Sequence, residues 1–234
     1  MHRIRAITLD LDDTLWEIAP VIRRAEAELW QWLAQNYPRI PKLVSAESLQ
    51  EMRASIFDEF PDRGHDFRFL RKQVLTRVAA IAGYSADLVE PAFDVFDRAR
   101  NEVEFYPDVL PALESLAQRF RLIAVTNGNA SLQKIGVRHL FHDVVTAVEA
   151  GAAKPSQPIF EEAIRRSGMR REQILHVGDH PENDVQGARD AGLRSVWMNR
   201  NGIDWPAHLS YPETIVTTMT ELHQILSFPQ NEDG

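Results

Sequence analysis

Residues 4–14, IRAITLDLDDT, indicate the class of fold before any other part of the chain is considered. Residues 4–11 form a short, almost continuous apolar run rich in β-forming side chains. That pattern is typical of a strand covered on both faces. The run ends abruptly in carboxylates, at Asp10, Asp12 and Asp13. The stretch therefore predicts a buried parallel strand with acidic side chains at its carboxyl end.

Similar apolar runs recur along the chain, and helix-like segments separate them. The runs occupy residues 122–126, 144–148, 174–177 and 195–198, with a weaker one at 214–217. The helical patterns occupy residues 109–119, 131–136, 158–167 and 183–191, and Gly192 closes the last of them. This alternation predicts an α/β fold, a Rossmann-like parallel sheet with helices on both faces.

Residues 17–104 interrupt the alternation with about four amphipathic helices, whose apolar residues recur at three- and four-residue steps. We predict an α-helical cap subdomain of residues 17–104, inserted directly after the first strand. The α/β catalytic core would comprise residues 1–16 and 105–234. Residues 229–234 are expected to form a frayed tail.

The composition is that of an ordinary folded protein. The 234 residues include 34 acidic and 26 basic side chains, a formal charge of −8, and 44% of the residues are apolar. The negative charge argues against a nucleic-acid or anionic-membrane partner. The chain has no cysteine, which excludes disulfides and thiolate catalysis. No signal peptide or membrane-spanning run is recognisable, so a cytoplasmic location is expected, as a monomer or a homodimer.

The residues that follow each predicted strand are the candidates for chemistry, because ligands of open parallel sheets bind beyond the carboxyl ends of the strands. Two of them, Asp10 and Asp12, are two positions apart, which directs both side chains to the same side of an extended chain. The candidate residues at these positions are Asp10, Asp12, Thr126, Asn127, Lys154, Asp179 and Asp184.

If these strand ends converge, several carboxylates share one small cavity. Two such charges about 4 Å apart repel by about 4 kcal/mol at an effective dielectric constant near 20, so the cluster keeps protons or binds a cation. Oxygen-only ligands favour a hard divalent ion, and Mg²⁺ fits best. Such a site would receive a phosphoryl group, with Lys154 offsetting its charge and Thr126 donating hydrogen bonds.

Four short motifs, in order, resemble those of the haloacid dehalogenase-like (HAD) hydrolase superfamily. They are DLDDT at residues 10–14, VTNGN at 125–129, AKP at 153–155 and GDHPEND at 178–184. The inserted helical block is similar to the cap of subfamily I. Within that subfamily, NGNA, ILHVGD and residues 197–202 are similar to bacterial riboflavin-pathway phosphatases that act on 5-amino-6-(5-phospho-D-ribitylamino)uracil.

This resemblance implies a phosphatase mechanism in two steps. Asp10 would attack phosphorus and form an aspartyl-phosphate. Asp12 would protonate the leaving alcohol and then deprotonate the water that hydrolyses the intermediate. Thr126, Asn127 and Lys154 would bind phosphate, and Lys154 would also keep Asp10 ionised.

The resemblance also implies the Mg²⁺ ligands. They would be the Asp10 carboxylate, the Asp12 backbone carbonyl and the Asp179 carboxylate. Asp184 would be an outer carboxylate or an occasional ligand.

Several of these residues also have structural explanations. Thr126 and Asn127 could cap the following helix, and Asp184 could cap its own. His176, inside a predicted strand, is expected to pack in the core. His180 and Trp16 are candidates for contact with the substrate.

The expected substrates are small: the ribitylamino-uracil phosphate, sugar phosphates and flavin mononucleotide. Three alternatives stay open, namely a haloacid dehalogenase, a phosphomutase and a non-catalytic binding protein. A dehalogenase would share the Asp10 nucleophile but would have no need of Asp12.

Overall fold

Within the part of the chain that the structure describes, the sheet consists of six short parallel strands. In the computed structural model, which describes residues 4–227, the strands are β1 (Ala6–Leu9), β2 (Arg121–Thr126), β3 (Asp143–Thr146), β4 (Ile174–Gly178), β5 (Arg194–Met198) and β6 (Ile215–Val216). Their order across the sheet is β3-β2-β1-β4-β5-β6. All four residues of β1 are buried, as the apolar run predicted. The strand order reverses between β1 and β4, where ligands of such sheets bind.

The register of the central strands brings three chain segments to one edge. Leu9 pairs with Ala124 of β2 and with Val177 of β4. The backbone N–H of Asp10 then donates to the Val177 carbonyl at 2.9 Å. The acidic residues after β1 therefore lie beside the ends of both neighbouring strands.

Helices fill the long segment between β1 and β2. They are α1 (Ile18–Asn36), α2 (Ile40–Leu43), α3 (Ala46–Glu59), α4 (Phe67–Ile81) and α5 (Val89–Arg100). Four of them correspond to the predicted amphipathic helices. Their apolar faces share one core, which includes Leu29, Leu33, Val78, Phe93 and Phe96.

A further helix, α6 (Val109–Ala117), directly precedes β2. Shorter connections lie between the later strands and contain α7 (Leu132–Ile135), α8 (Ala147–Ala150), α9 (Gln157–Ser167) and α10 (Gly187–Asp190), and α11 (Met219–Ser227) follows β6. A second core joins Ile123 and Val145 of the sheet to Ile159 and Phe160 of α9. The fold is thus α/β and Rossmann-like, with an additional set of helices.

Two predicted elements differ from the observed ones. The third strand ends at Thr146, not residue 148, because the Thr146 side chain accepts the Glu149 N–H and begins a helix there. The helix predicted over residues 183–191 begins earlier, as a π-helical turn at Pro181–Gln186 followed by α10. His180 Nδ1 accepts the Glu182 and Asn183 N–H groups, both at 3.2 Å, and so caps that turn.

The chain divides into two compact units. The sheet unit comprises residues 4–17, 104–128 and 135–227 of the described chain, and the helical unit comprises residues 18–103 and 129–134. Residues 129–134, which the sequence analysis grouped with the α/β segment, belong to the helical unit in this division. Asn101 accepts the Ser131 N–H at 2.6 Å and Asp97 pairs with Lys134, which joins this segment to the helical unit. The division into a catalytic core and a cap stays a prediction.

None of the helices within residues 4–227 combines the length and the apolar character needed to cross a lipid bilayer. The predicted tail at residues 229–234 lies outside the described residues.

Candidate active site

A polar cavity of about 160 Å³ lies at the carboxyl edge of the sheet, within the sheet unit. All seven candidate residues from the sequence line it, namely Asp10, Asp12, Thr126, Asn127, Lys154, Asp179 and Asp184. The other lining residues are Asp13, Gly128, His180 and Asn183. The ends of β1, β2 and β4 supply most of them, while Lys154 lies in the loop after α8 and Asp184 in the π-helical turn Pro181–Gln186. The juxtaposition expected from the strand ends is therefore present.

Three carboxylates of this cavity face one another. One oxygen each of Asp10, Asp179 and Asp184 lies within 4.8 Å of the other two. Asp10 and Asp184 are buried, and Asp179 is half-buried. Three oxygen donors so close together could hold a hard divalent cation.

Lys154 joins two of the carboxylates. Its ammonium group donates to Asp10 Oδ1 at 2.5 Å and to Asp184 Oδ1 at 2.6 Å, and the residue is 5% exposed. Burial alone would lower the pKa of Lys154, but the charges of Asp10 and Asp184 outweigh it and raise that pKa. The lysine therefore stays protonated at neutral pH.

One ammonium group does not neutralise three carboxylates. Burial, followed by the charges of Asp184 and Asp179, raises the pKa of Asp10 well above its ordinary value despite Lys154. Burial and the Asp184 charge also raise the pKa of Asp179 to about 7. Burial alone would raise the pKa of Asp184, but Lys154 and His176 outweigh it and hold that pKa low. Asp10 and Asp179 therefore bind protons more readily than isolated carboxyl groups do, and a divalent cation could take the place of those protons.

The two polar residues at the carboxyl end of β2, Thr126 and Asn127, differ in their contacts. Thr126 is buried, and its Oγ1 accepts the Gly128 N–H at 2.9 Å. Asn127 makes two hydrogen bonds to Lys154: its Nδ2 donates to the carbonyl at 3.0 Å, and its Oδ1 accepts the N–H at 2.7 Å. These bonds hold the Lys154 backbone in place, and binding of phosphate by Asn127, which also lines the cavity, stays a prediction.

The acidic loop after β1 turns back on itself at Asp13. Asp13 has φ of 60°, a left-handed conformation that Asp tolerates better than most residues, and its N–H donates to the Trp16 carbonyl at 2.8 Å. Trp16 is completely buried, so its predicted contact with substrate was wrong. Its indole Nε1 instead donates to Asp12 Oδ1 at 2.9 Å.

His176 has a role that the sequence analysis missed. It is buried as expected, but its Nε2 lies 3.1 Å from Asp184 Oδ1 and its Nδ1 lies 2.8 Å from Thr8 Oγ1. Burial lowers the pKa of His176 more than the Asp184 carboxylate raises it, which favours a neutral imidazole. Thr8 and His176 are paired in register on β1 and β4, and two polar residues in buried strands were the available signal.

Hydrogen bonds hold both the carboxylate and the backbone carbonyl of Asp179. Thr14 Oγ1 donates to Asp179 Oδ1 at 3.2 Å, and the indole of Trp197 donates to the Asp179 carbonyl at 2.7 Å. His180 donates its backbone N–H to Asp184 Oδ2 at 2.9 Å. Hydrogen bonds from three segments of the chain therefore position Asp179 and Asp184.

This fold and this arrangement of motifs define a family. The family model for haloacid dehalogenase-like hydrolases matches residues 4–192, and the chain belongs to that family of enzymes. It is 30% identical to the 5-amino-6-(5-phospho-D-ribitylamino)uracil phosphatase YigB of Escherichia coli, over 97% of this chain and 98% of that protein. It is 31% identical to a glyceraldehyde 3-phosphate phosphatase of Methanopyrus kandleri, over 84% of each chain.

A solved structure extends the likeness to the three-dimensional level. The 2-haloacid dehalogenase from Pseudomonas syringae pv. Tomato DC3000 superposes with a TM-score of 0.91 at 38% identity, covering 96% of this chain and 98% of that one. The similar proteins therefore include enzymes named for phosphate ester hydrolysis and one named for dehalogenation.

Proposed function

We propose that this hydrolase is a Mg²⁺-dependent phosphatase that cleaves the phosphate monoester of a small metabolite through an aspartyl-phosphate on Asp10. The observation that carries the proposal is the convergence of Asp10, Asp179 and Asp184 in one cavity with the Lys154 ammonium. Two charge-neutralising groups, a lysine and a divalent cation, suit a dianionic phosphoryl group.

In the first step, an oxygen of Asp10 forms a bond to phosphorus while the bond from phosphorus to the ester oxygen breaks. The electron pair leaves with the ester oxygen, and Asp12 supplies the proton that this oxygen needs. In the second step, Asp12 takes a proton from water, whose oxygen then attacks phosphorus and releases Asp10. Lys154 and Thr126 would bind the phosphoryl oxygens throughout, while Asn127 fixes the Lys154 backbone.

Asp10, Asp179 and the Asp12 backbone carbonyl would hold the cation, with Asp184 as an outer carboxylate or a further ligand. When bound, the cation supplies positive charge that offsets the phosphoryl oxygens. Asp184 is already bonded to Lys154, His176 and the His180 N–H, which suits the outer position better than direct ligation.

The substrate is proposed from the relatives. The ribitylamino-uracil phosphate is the first candidate because YigB of Escherichia coli matches almost the whole chain. Sugar phosphates and flavin mononucleotide follow. A cytoplasmic location and the lack of a nucleic-acid or membrane partner stay predictions from composition.

Dehalogenation of a 2-haloacid is the second candidate, because the similar Pseudomonas structure carries that name. Halide leaves carbon without a proton, so the first step of that reaction would give Asp12 no task. Phosphate ester hydrolysis gives Asp12 the task of proton donor and gives a cation at the carboxylate cluster a dianionic group to neutralise. Both features favour phosphate ester hydrolysis.

Replacement of Asp10 by Asn tests the proposal directly. With p-nitrophenyl phosphate and Mg²⁺, we expect D10N to lose about a thousandfold or more in kcat, because the amide is no nucleophile. The exposed Asp190→Asn variant is the matched control and should keep wild-type activity. Undiminished hydrolysis by D10N, or release of chloride from 2-chloropropionate by a wild type inactive on phosphate esters, would contradict the proposal.

A further inference from the structure

We propose that Trp16 is a positioning residue for this reaction: its indole N–H fixes the Asp12 carboxyl group in the orientation required for proton transfer. The inference rests on the proposed function, which gives Asp12 the proton-transfer role. It concerns a residue that does not line the cavity and that the mechanism above does not use.

The indole end of the hydrogen bond is shielded from solvent. Trp16 Nε1 lies 2.9 Å from Asp12 Oδ1, and Trp16 has no exposed surface. Water therefore cannot compete for the indole, and a hydrogen bond in such surroundings is stronger than one at the surface. A buried indole N–H also requires an acceptor, so the bond to Asp12 is retained.

The donor is held rigidly by its backbone and its ring. The backbone of Trp16 forms isolated β-bridges with Asp12 and with Phe105. Its carbonyl accepts the Asp13 N–H. Its ring packs edge-on against Phe105, with 5.4 Å between centroids and an interplanar angle of 82°. Next to it, the Leu15 carbonyl accepts the Tyr106 N–H at 3.1 Å. The indole therefore cannot follow Asp12 if that carboxyl group rotates.

The chemistry of indole assigns the two oxygens of Asp12. Indole N–H is a donor only, so the oxygen bonded to it, Oδ1, acts as an acceptor in both protonation states. The carbonyl oxygen of a carboxylic acid is a better acceptor than its hydroxyl oxygen, so this bond favours Oδ2 as the oxygen that gives the proton to the leaving group and later takes one from water. Trp16 thus decides which carboxyl oxygen transfers the proton and restricts rotation about the Cβ–Cγ bond.

A comparison of two leaving groups tests this role. The ratio kcat/KM includes only the steps up to departure of the alcohol. p-Nitrophenolate leaves without a proton, whereas the alkoxide of ribose 5-phosphate needs one. For Trp16→Phe we expect kcat/KM to fall about tenfold for ribose 5-phosphate, part of the 10²–10⁴ that general acid catalysis contributes. For p-nitrophenyl phosphate we expect a change of about twofold or less.

Two controls separate this effect from general damage. Trp205→Phe removes another indole hydrogen bond of the sheet unit, to the Leu209 carbonyl. It should leave unchanged the ratio of kcat/KM for ribose 5-phosphate to kcat/KM for p-nitrophenyl phosphate. In an Asp12→Asn background, Trp16→Phe should no longer change that ratio. If Trp16→Phe does not fold, as judged by circular dichroism, benzothienylalanine at position 16 keeps the shape of the ring and replaces N–H by sulfur.

An equal loss on both substrates, or no change in the ratio, would overturn the role of Trp16 and leave the phosphatase proposal intact. A wild-type protein that hydrolyses neither ester would instead refute the proposed function.

Discussion

Gly178 shows how a single residue makes room for the site. It is the last residue of β4, and a Cβ atom built there would lie 2.2 Å from Asp184 Cγ and 2.5 Å from Asp184 Oδ2. Contacts below 3 Å require one of the two groups to move. Since Asp184 is held by Lys154, His176 and the His180 N–H, any shift of its carboxylate disturbs the whole cluster.

We therefore expect Gly178→Ala to lower kcat/KM by about 100-fold, the cost of a displacement of about 1 Å in a preorganised site. The measurement is hydrolysis of p-nitrophenyl phosphate at saturating Mg²⁺. Gly151→Ala is the matched control: Gly151 has φ of +69° and no neighbour within 4 Å of an added Cβ. It should lose about 1–2 kcal/mol of stability through backbone strain and keep its activity. Activity of Gly178→Ala within twofold of wild type would show that Asp184 can move freely.

Lys154 is the residue whose charge the buried carboxylates require. We expect Lys154→Met to lower the free energy of unfolding by about 3–5 kcal/mol, because Asp10 and Asp184 lose the cation that compensates their burial. Urea unfolding in the absence of divalent ions measures this loss. Lys72→Met, which breaks an exposed pair with Glu90, should cost about 1 kcal/mol or less. Equal costs for the two variants would contradict the structural role assigned to Lys154.

At the scale of elements, Arg200 links three segments of the sheet unit. Its Nε donates to the Thr14 carbonyl at 2.8 Å, in the loop after β1. Its two terminal nitrogens donate to Asp108, just before α6, at 3.1 and 3.0 Å. Asp108 in turn accepts the N–H of Met219, the first residue of α11, at 2.6 Å. The loop that carries Asp10 and Asp12 is therefore tied to two helices.

The Asp108 link predicts a dependence of stability on pH. Burial would raise the pKa of Asp108, but the hydrogen bonds from Arg200 and Met219 outweigh it and hold that pKa below its ordinary value. A lowered folded-state pKa stabilises the protein above the unfolded pKa of about 3.9, and this contribution is lost as the pH falls through the folded value. We expect Asp108→Asn to cost about 1–3 kcal/mol at pH 7 and progressively less below pH 4.

Urea unfolding at pH 7, 4 and 3 measures the effect. The exposed Asp204→Asn variant serves as the control and should follow the wild-type pH dependence. A deficit of Asp108→Asn that stays constant down to pH 3 would show that the charge of Asp108 does not contribute.

At the scale of the whole molecule, a chain with a net charge of −8 brings three carboxylates into one cavity. A cation that binds only the folded state stabilises it, by about 2.7 kcal/mol at a concentration 100-fold above its Kd. We expect millimolar Mg²⁺ to raise the Tm of the wild type and EDTA to remove both the shift and the activity. NaCl of equal ionic strength should not reproduce the shift.

The Asp179→Asn variant tests whether the rise in Tm comes from Mg²⁺ bound at the carboxylate cluster. Removal of one carboxylate weakens cation binding and relieves repulsion, so this variant should be at least as stable as the wild type without Mg²⁺ and should show a smaller Mg²⁺ shift. An unchanged Mg²⁺ shift would mean that the ion binds elsewhere on the acidic surface.

Much of the α/β fold could be predicted from the sequence because its strands are covered on both faces. A fully buried strand must be apolar along its length, so the runs around Ala6–Leu9 and Ile174–Gly178 were recognisable without their partners. Strand ends were harder to place. β3 ends two residues earlier than predicted because the Glu149 N–H donates to the Thr146 side chain and begins a helix there. The apolar pattern continues through residue 148 and gives no sign of this hydrogen bond.

The sequence by itself determined which residues follow the buried strands, because that order is local, and these residues are the ones that line the cavity. Only the tertiary structure decided which atoms bond to which. Asn127 holds the Lys154 backbone, His176 bonds Asp184, and Trp16 bonds Asp12. A hydrogen bond depends on positions to within a few tenths of an ångström, and residues far apart in the chain reach such positions only through the packing of the whole sheet.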